Sequence, residues 1–364
     1  IGSDAPRARS SGRFGVPLAA RALPRLREPV PHAVHDVVAR QMAAEPNGGV
    51  DRRLSCAVQR LIADPRAFSE QEIARRLIRP IPAYAVVVDT LEQLGFDSLW
   101  LSERISGPAP DPLVAMAFGA GRTTNLKFGT SVMVLPGRNP VVLAKELATL
   151  ATMSNGRLLP AFGLGAVDPV EQQAFGVERS ERAALFDEML DVMRQCWTGR
   201  PFTHHGDRYH YDEVTVLPAP ARMDVWLGGI APSELRRIGR LADGWLPSFV
   251  TPADAEAGRT VVEAVCAEHG RAIEDDHYGV LIPYSFGPIP ERLQRLLAKR
   301  RPDLDDPGEL VATTWDGLTA LIRRFTDVGT SKFVVLPLVE PGGADSWVEH
   351  LTEAADVLLS LETG

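Results

Sequence analysis

The sequence predicts an α/β fold: a (β/α)8 TIM barrel with an extended helical N-terminal insertion and a long insertion between strand seven and helix seven. Three observations predict it. From Asp89 onward, strand-like and helix-like segments alternate at the interval of repeated βα units. Eight segments read as strands, which favours a closed parallel barrel over an open doubly wound sheet. The chain of 364 residues is 45% hydrophobic and 24% charged, an ordinary globular balance long enough to bury a sizeable core.

Arg13-Phe14-Gly15-Val16-Pro17-Leu18 is short and apolar and is the candidate first strand. Residues 19–80 then hold Arg-rich helical segments such as Val34–Ala43 and Leu54–Ile62. Tyr84 to Leu94 repeats apolar residues at helical spacing and stops at Gly95, a C-cap signal. Phe96–Leu101 is the second strand, Pro112–Gly121 a small-residue helix, and Leu126–Leu135 a long β-rich run ending at Pro136-Gly137. Pro140 opens an amphipathic helix through Ala151, where its missing N–H does little harm. Arg157–Gly163 is the fourth strand.

Ser180–Trp197 is the clearest helix, with Leu185, Met189, Val192, Met193 and Trp197 on one stripe, and core packing explains its methionines. His204 to Val216 reads as a hairpin-like excursion. Val225–Gly229 is a strand running into a glycine turn, followed by a helix at Pro232–Ala242 and a strand at Asp243–Leu246. Helices at Pro252–Glu268 and Trp315–Val328 alternate with strands at Tyr278–Phe286 and Lys332–Leu338, and Asp345–Leu361 is a final helix. The expected organisation is residues 1–18 with the first strand, a helical insertion at 19–80, and the rest of the barrel at 81–364, interrupted at about 287–312. Both inserts fall on the C-terminal face, where barrel loops carry chemistry.

The formal charge is −8, which argues against a nucleic-acid partner. Residues 1–80 carry fourteen Arg against eight acidic residues, so that region is about +6 and the remainder about −14; a solvated arm explains this block more readily than an anion-binding one. Three scattered cysteines, Cys56, Cys196 and Cys266, exclude a disulfide framework or CxxC metal site. No apolar run approaches a membrane span and residues 1–30 lack a signal-peptide core, so no membrane partner and a cytoplasmic location are expected.

No GxGxxG, GxxxxGK[ST], HExxH or GxSxG motif is present. His204-His205 is only a dipeptide whose side chains diverge on a strand, so no metal is expected. Two glycine-rich strand ends stand out: Gly163-Leu164-Gly165-Ala166 after strand four and Gly228-Gly229-Ile230-Ala231 after strand five. Each is a tight βα turn or a place where backbone N–H groups approach a phosphate, and two at consecutive strands raise the phosphate reading. Asp168 is an acid/base candidate or a helix N-cap before Pro169.

Several stretches carry a resemblance. Phe96-Asp97-Ser98-Leu99-Trp100-Leu101-Ser102-Glu103-Arg104, the run Phe128 to Pro140, Ala144–Leu150, Asn155–Leu158, Trp226–Gly229 and Leu241–Trp245 resemble, in order, the motifs of the luciferase-like monooxygenase superfamily over residues 84–340. Ser102-Glu103-Arg104 and Val132 to Arg138 are most similar to its branch of deazaflavin (coenzyme F420)-dependent oxidoreductases. The resemblance implies hydride transfer between F420, favoured over FMN, and a small organic substrate, with oxygen insertion if FMN is used, in a homodimer. It implies a non-prolyl cis peptide at Ser131-Val132 on which the ring leans, a cofactor tail along Gly163, Leu164, Gly165 and Ala166, and a phosphate on Gly228, Gly229 and Ile230.

At Glu103-Arg104 many F420-using relatives have Asp-His, the His acting as acid or base beside the ring. Arginine stays protonated and cannot serve as a general base. Arg104 instead pairs with a substrate carboxylate, stabilises negative charge on the reduced ring, or forms a surface salt bridge with Glu103 or Asp111. With Glu103 and Asp168 it completes the expected catalytic set. Loss of that His beside a long insert leaves a second reading open, a non-catalytic barrel that binds a ligand or protein partner. A phosphate-sugar isomerase would need a Gly-rich turn near Leu336-Pro337-Leu338, which is missing.

Overall fold

The computed structural model describes residues 53–58 and 82–361, except 108, 167 and 290. The chain runs through β1 (Arg53–Val58), α1 (Pro82–Leu94), β2 (Ser98–Leu101), α2 (Pro112–Ala120), β3 (Lys127–Thr130), β4 (Met133–Val134) and α3 (Pro140–Met153). It continues with β5 (Leu158–Leu159), β6 (Ala161–Gly163), α4 (Pro169–Phe175), α5 (Arg182–Trp197), β7 (Phe202–His205) and β8 (His210–Val214). The remainder is β9 (Trp226–Leu227), α6 (Pro232–Leu241), β10 (Gly244–Trp245), α7 (Pro252–Glu268), β11 (Gly279–Tyr284), α8 (Glu291–Arg300), α9 (Trp315–Asp327), β12 (Lys332–Pro337) and α10 (Ala344–Leu358).

Capped starts explain several of these helices. Proline occupies the first turn of α2, α3, α4 and α7, while Asp111, Asn139, Asp168 and Thr251 accept backbone N–H groups at their N-caps.

Apart from the β7–β8 hairpin, the strands pair in parallel, in the order β11-β12-β1-β2-β3-β5 and β10-β9-β6-β4. β5 and β6 are successive parts of one segment broken at Pro160. Isolated parallel bridges, Trp245 with Tyr278 and Ser248 with Leu281, join β10 and the turn after it to β11. Every residue of β11 and β12 is buried, as expected of parallel strands covered on both faces.

Among the described residues, two of the three buried apolar clusters build the centre of the fold. The larger lies between helices and strands, with Phe186, Met189, Val192 and Met193 of α5 among its members. A second, made of Trp100, Ala161, Trp226, Leu246, Leu281, Val334 and Leu336, comes from the strands and the residues that follow them. Trp100 and Trp226 meet edge to face in it at 6.1 Å.

One expectation is corrected. Residues 53–58 form a strand, not the start of a helix at Leu54–Ile62, and they pair with β12 on one side and β2 on the other. The first-strand position is thereby filled by Arg53–Val58; Arg13–Leu18 and Val34–Ala43 lie outside the described residues. The 287–312 stretch contains α8, whose Leu293 and Leu297 pack with Leu310 and Val311 and against Phe249 and Leu338. Among the described residues no helix is long and apolar enough to cross a membrane.

Candidate active site

Residues that follow β2, β6, β9 and β10, together with the β3–β4 junction, surround a cavity of about 310 Å³. In parallel α/β sheets the carboxyl ends of the strands are where ligands bind. Val132, Leu246 and Leu281 belong both to the cavity lining and to the inner cluster, so the cavity has an apolar floor.

The peptide bond between Ser131 and Val132 is cis. It is tied to β2 by three bonds: the Ser131 N–H donates to Leu101 O at 2.8 Å, the Ser102 hydroxyl to Ser131 O at 2.5 Å, and the Glu103 N–H to Val132 O at 3.2 Å. Glu103, 6% exposed, accepts the Val134 N–H at 2.7 Å and pairs with Arg138. Burial pushes its carboxyl above the ordinary value, against the pull of Arg138 and the Val134 N–H. Glu103 thus fastens the junction and β4 to the segment that follows β2.

The glycine corners close on Val132. A Cβ at Gly163 would lie 2.5 Å from Val132 Cγ2, and one at Gly228 would lie 3.7 Å from Val132 Cγ1. Only a bare backbone fits at Gly163. Beyond it, Arg182, 3% exposed, donates to Leu164 O at 3.1 Å and Ala166 O at 3.2 Å, while its buried Nη2 has no partner among the described residues. A buried cation under this loop suits an anion laid upon it. At the other corner Trp245 Nε1 donates to Gly229 O at 2.9 Å. The Glu234 carboxylate accepts the N–H groups of Ile230 at 3.1 Å and Ala231 at 3.0 Å.

Arg104 lines the same cavity. It makes no ion pair within 4 Å among the described residues, so the expected surface bridge to Glu103 or Asp111 is not formed. Its loop is held from behind by Glu171, 2% exposed, which accepts Ser106 N at 3.0 Å, Ser106 Oγ at 2.7 Å and Ile105 N at 3.3 Å.

The structure brings together Glu103, Arg104, Ser131, Val132, Gly163, Leu164, Gly165, Ala166, Gly228 and Gly229 around one cavity. Two expected residues stand outside the lining. Asp168 accepts Val170 N at 2.8 Å and is the N-cap of α4, the capping arrangement that the sequence also allowed. Ile230 is 36% exposed and its N–H donates to Glu234. Sequence reasoning missed Glu171, Arg182, Glu234, Phe249 and Arg300. Glu234, three residues after Ala231 at a helix start, carried a readable capping signal. His204 faces Glu188 at 3.2 Å on the hairpin, away from the cavity lining.

Comparison with known proteins bears on this arrangement. Residues 68–320 match the luciferase-like monooxygenase family. The chain is 28% identical over 245 residues to the F420-dependent glucose-6-phosphate dehydrogenase of Nakamurella multipartita, covering 60% of this chain and 70% of that one. It is 26% identical over 309 residues to the enzyme of the same description from Amycolatopsis mediterranei, covering 74% and 90%. An F420-dependent secondary alcohol dehydrogenase solved with an F420-acetone adduct superposes with a TM-score of 0.67 at 19% identity, over 85% of this chain and 99% of that one. The FMN-bound oxygenating constituent of 3,6-diketocamphane monooxygenase from Pseudomonas putida gives 0.61 at 17% identity, over 85% and 98%. Both structural likenesses speak to a shared α/β fold.

Proposed function

Because the chain belongs to the luciferase-like monooxygenase family, we propose that it is an oxidoreductase exchanging hydride between bound deazaflavin F420 and a small organic substrate. FMN is the alternative cofactor, and with it oxygen insertion. The observation that carries this reading is the convergence of the cis peptide and both glycine corners on Val132 at one cavity. We read the circuit of strand pairs as a closed eight-stranded barrel, which puts these groups on one rim.

The residues fit such a group. Val132 would support one face of the ring, the 163–166 loop over Arg182 would take the tail, and Gly228 and Gly229 would present backbone N–H groups to its phosphate. When bound, the deazaflavin supplies a ring carbon that gives or accepts hydride. The protein's part is to position and to exclude water. Glu103 and Ser102 hold the platform, and Leu246 and Leu281 keep the floor dry. Exposed Val114 and Met153, on a groove between α2 and α3, would be covered by a second copy of the chain, as light scattering would show.

Titration of the full chain with oxidised F420 and with FMN, followed by fluorescence, tests the reading. Saturable binding with preference for F420 is expected. A folded protein that binds neither at tens of micromolar would overturn it in favour of a non-catalytic barrel.

A further inference from the structure

Five charged side chains line the cavity: Glu103, Arg104, Glu234, Arg237 and Arg300. Three are neutralised or bonded in place. Glu103 pairs with Arg138, Arg237 with Asp187 at 2.5 Å, and Glu234 accepts two backbone N–H groups. Arg104 and Arg300 have no carboxylate partner within 4 Å among the described residues. Both line the one cavity, and burial and then the like charge of Arg104 hold the Arg300 guanidinium below its ordinary value.

Both are aimed by their neighbours. Arg301, 6% exposed, donates to Phe249 O at 2.9 Å and pairs with Asp254 at 2.8 Å, which ties the end of α8 to the turn after β10. Arg300 then lies over the Phe249 ring at 4.7 Å. Arg104 is set between Glu103, bonded to Val134 N, and the Ile105-Ser106 backbone held by Glu171. Two like-charged guanidiniums at one cavity repel each other unless an anion lies between them. Their planar forks match carboxylate or phosphate oxygens.

We infer that Arg104 and Arg300 form a two-arginine clamp for an oxyanion on the substrate, which makes the substrate a carboxylate- or phosphate-bearing organic molecule. Phe249, Leu246 and Leu281 receive its apolar carbon part. The cofactor's own tail is the competing source of such an anion. Strand order sets Arg104, after β2, apart from the glycine corners after β6 and β9, on the other side of the β3–β4 strand; Arg300 lies over Phe249 after β10, the neighbour of β9, so the F420 titration of its variant decides between the two sources. The identity of the second ligand rests on the oxidoreductase reading, whereas the clamp itself does not.

Isothermal titration of the full chain with succinate, inorganic phosphate and neutral succinamide tests it, alongside separate titration with oxidised F420. The variants are Arg104→Gln, Arg300→Gln and, on the exposed side of α8, Arg295→Gln. Each clamp substitution is expected to weaken succinate or phosphate at least about tenfold. Succinamide should not bind, F420 affinity should stay within about twofold, and Arg295→Gln should match the unaltered chain. Oxyanion affinity untouched by both clamp substitutions, or no oxyanion binding at all, would overturn the clamp. A parallel loss of F420 affinity would assign the pair to the cofactor tail and overturn the substrate reading. Oxyanion binding as expected with no binding of F420 or FMN would sink the oxidoreductase reading while upholding the clamp.

Discussion

Gly163 and Val132 are in mutual contact across the broken third strand: a Cβ on the glycine would sit 2.5 Å from the valine Cγ2. The glycine and the cis-peptide valine are therefore a matched pair, each shaped by the other's bulk. Gly163→Ala must push Val132 off the platform that the ring would lean on. F420 affinity is expected to fall about tenfold, in line with the cost of overpacking a tight contact. Val132→Ala in the same chain removes the Cγ2 and should recover part of that loss. Fluorescence titration of the single and double variants reads both effects, and an unrecovered double variant would separate the two residues.

Glu234 places a carboxylate where the second glycine corner would meet a phosphate, since Ile230 N and Ala231 N already donate to it. Two negative groups at one set of N–H donors oppose each other. Glu234→Gln keeps an acceptor for the turn and removes the charge. Binding of the phosphorylated cofactor should tighten about fivefold at low salt, with the gain shrinking as salt rises. Weaker binding instead would show that the carboxylate organises the turn and does not compete.

Asp168 separates an acid/base role from a structural one. As the N-cap of α4 it supports the helix that carries Glu171, and through Glu171 the loop of Arg104. Asp168→Asn keeps the cap and abolishes any proton transfer, so cofactor binding and turnover should stay within about twofold. Asp168→Ala should destabilise the fold by about 1 kcal/mol, read by urea unfolding, and speed hydrogen exchange at Ile105 and Ser106. A large loss of turnover in the Asn variant alone would restore the catalytic reading.

The glycine corners were legible because two glycine-rich turns end consecutive strands, although either one alone reads equally as a tight βα turn. The Ser131-Val132 junction was legible only through family resemblance, since an unbroken Leu126–Leu135 run reads as one strand. β1 was misread for a physical reason. Leu54, Val58 and Leu61 fit a helical period, while Leu54, Cys56 and Val58 fit a strand period, and periodicity cannot choose between them over six residues. Glu171, Arg182 and Arg300 were invisible because their partners are backbone groups, an aromatic face or a cavity. Glu171 reaches Ser106 across 65 positions, and no local pattern encodes such a contact.

Asp97 links three strands by charge, and its pH dependence can be worked out. It stands just before β2, 2.6 Å from Lys127 of β3 and 2.7 Å from Lys332 of β12, which is 3% exposed. Burial opposes its ionisation, but Lys332 and Lys127 outweigh burial and hold the carboxyl at about 2, against 3.8 ordinarily. A depressed folded value means the ionised form is the one the fold stabilises. That stabilisation is present above the unfolded value and is lost as pH falls through the folded one, between about pH 4 and pH 2. Its size at neutral pH is about 2 kcal/mol. Asp97→Asn should flatten this part of the profile and destabilise the neutral protein by about 3 kcal/mol, because Lys332 loses a buried counter-charge. Urea unfolding from pH 7 to pH 2 measures both, and an unchanged profile in the variant would mean that other carboxylates set the acid limit of the fold.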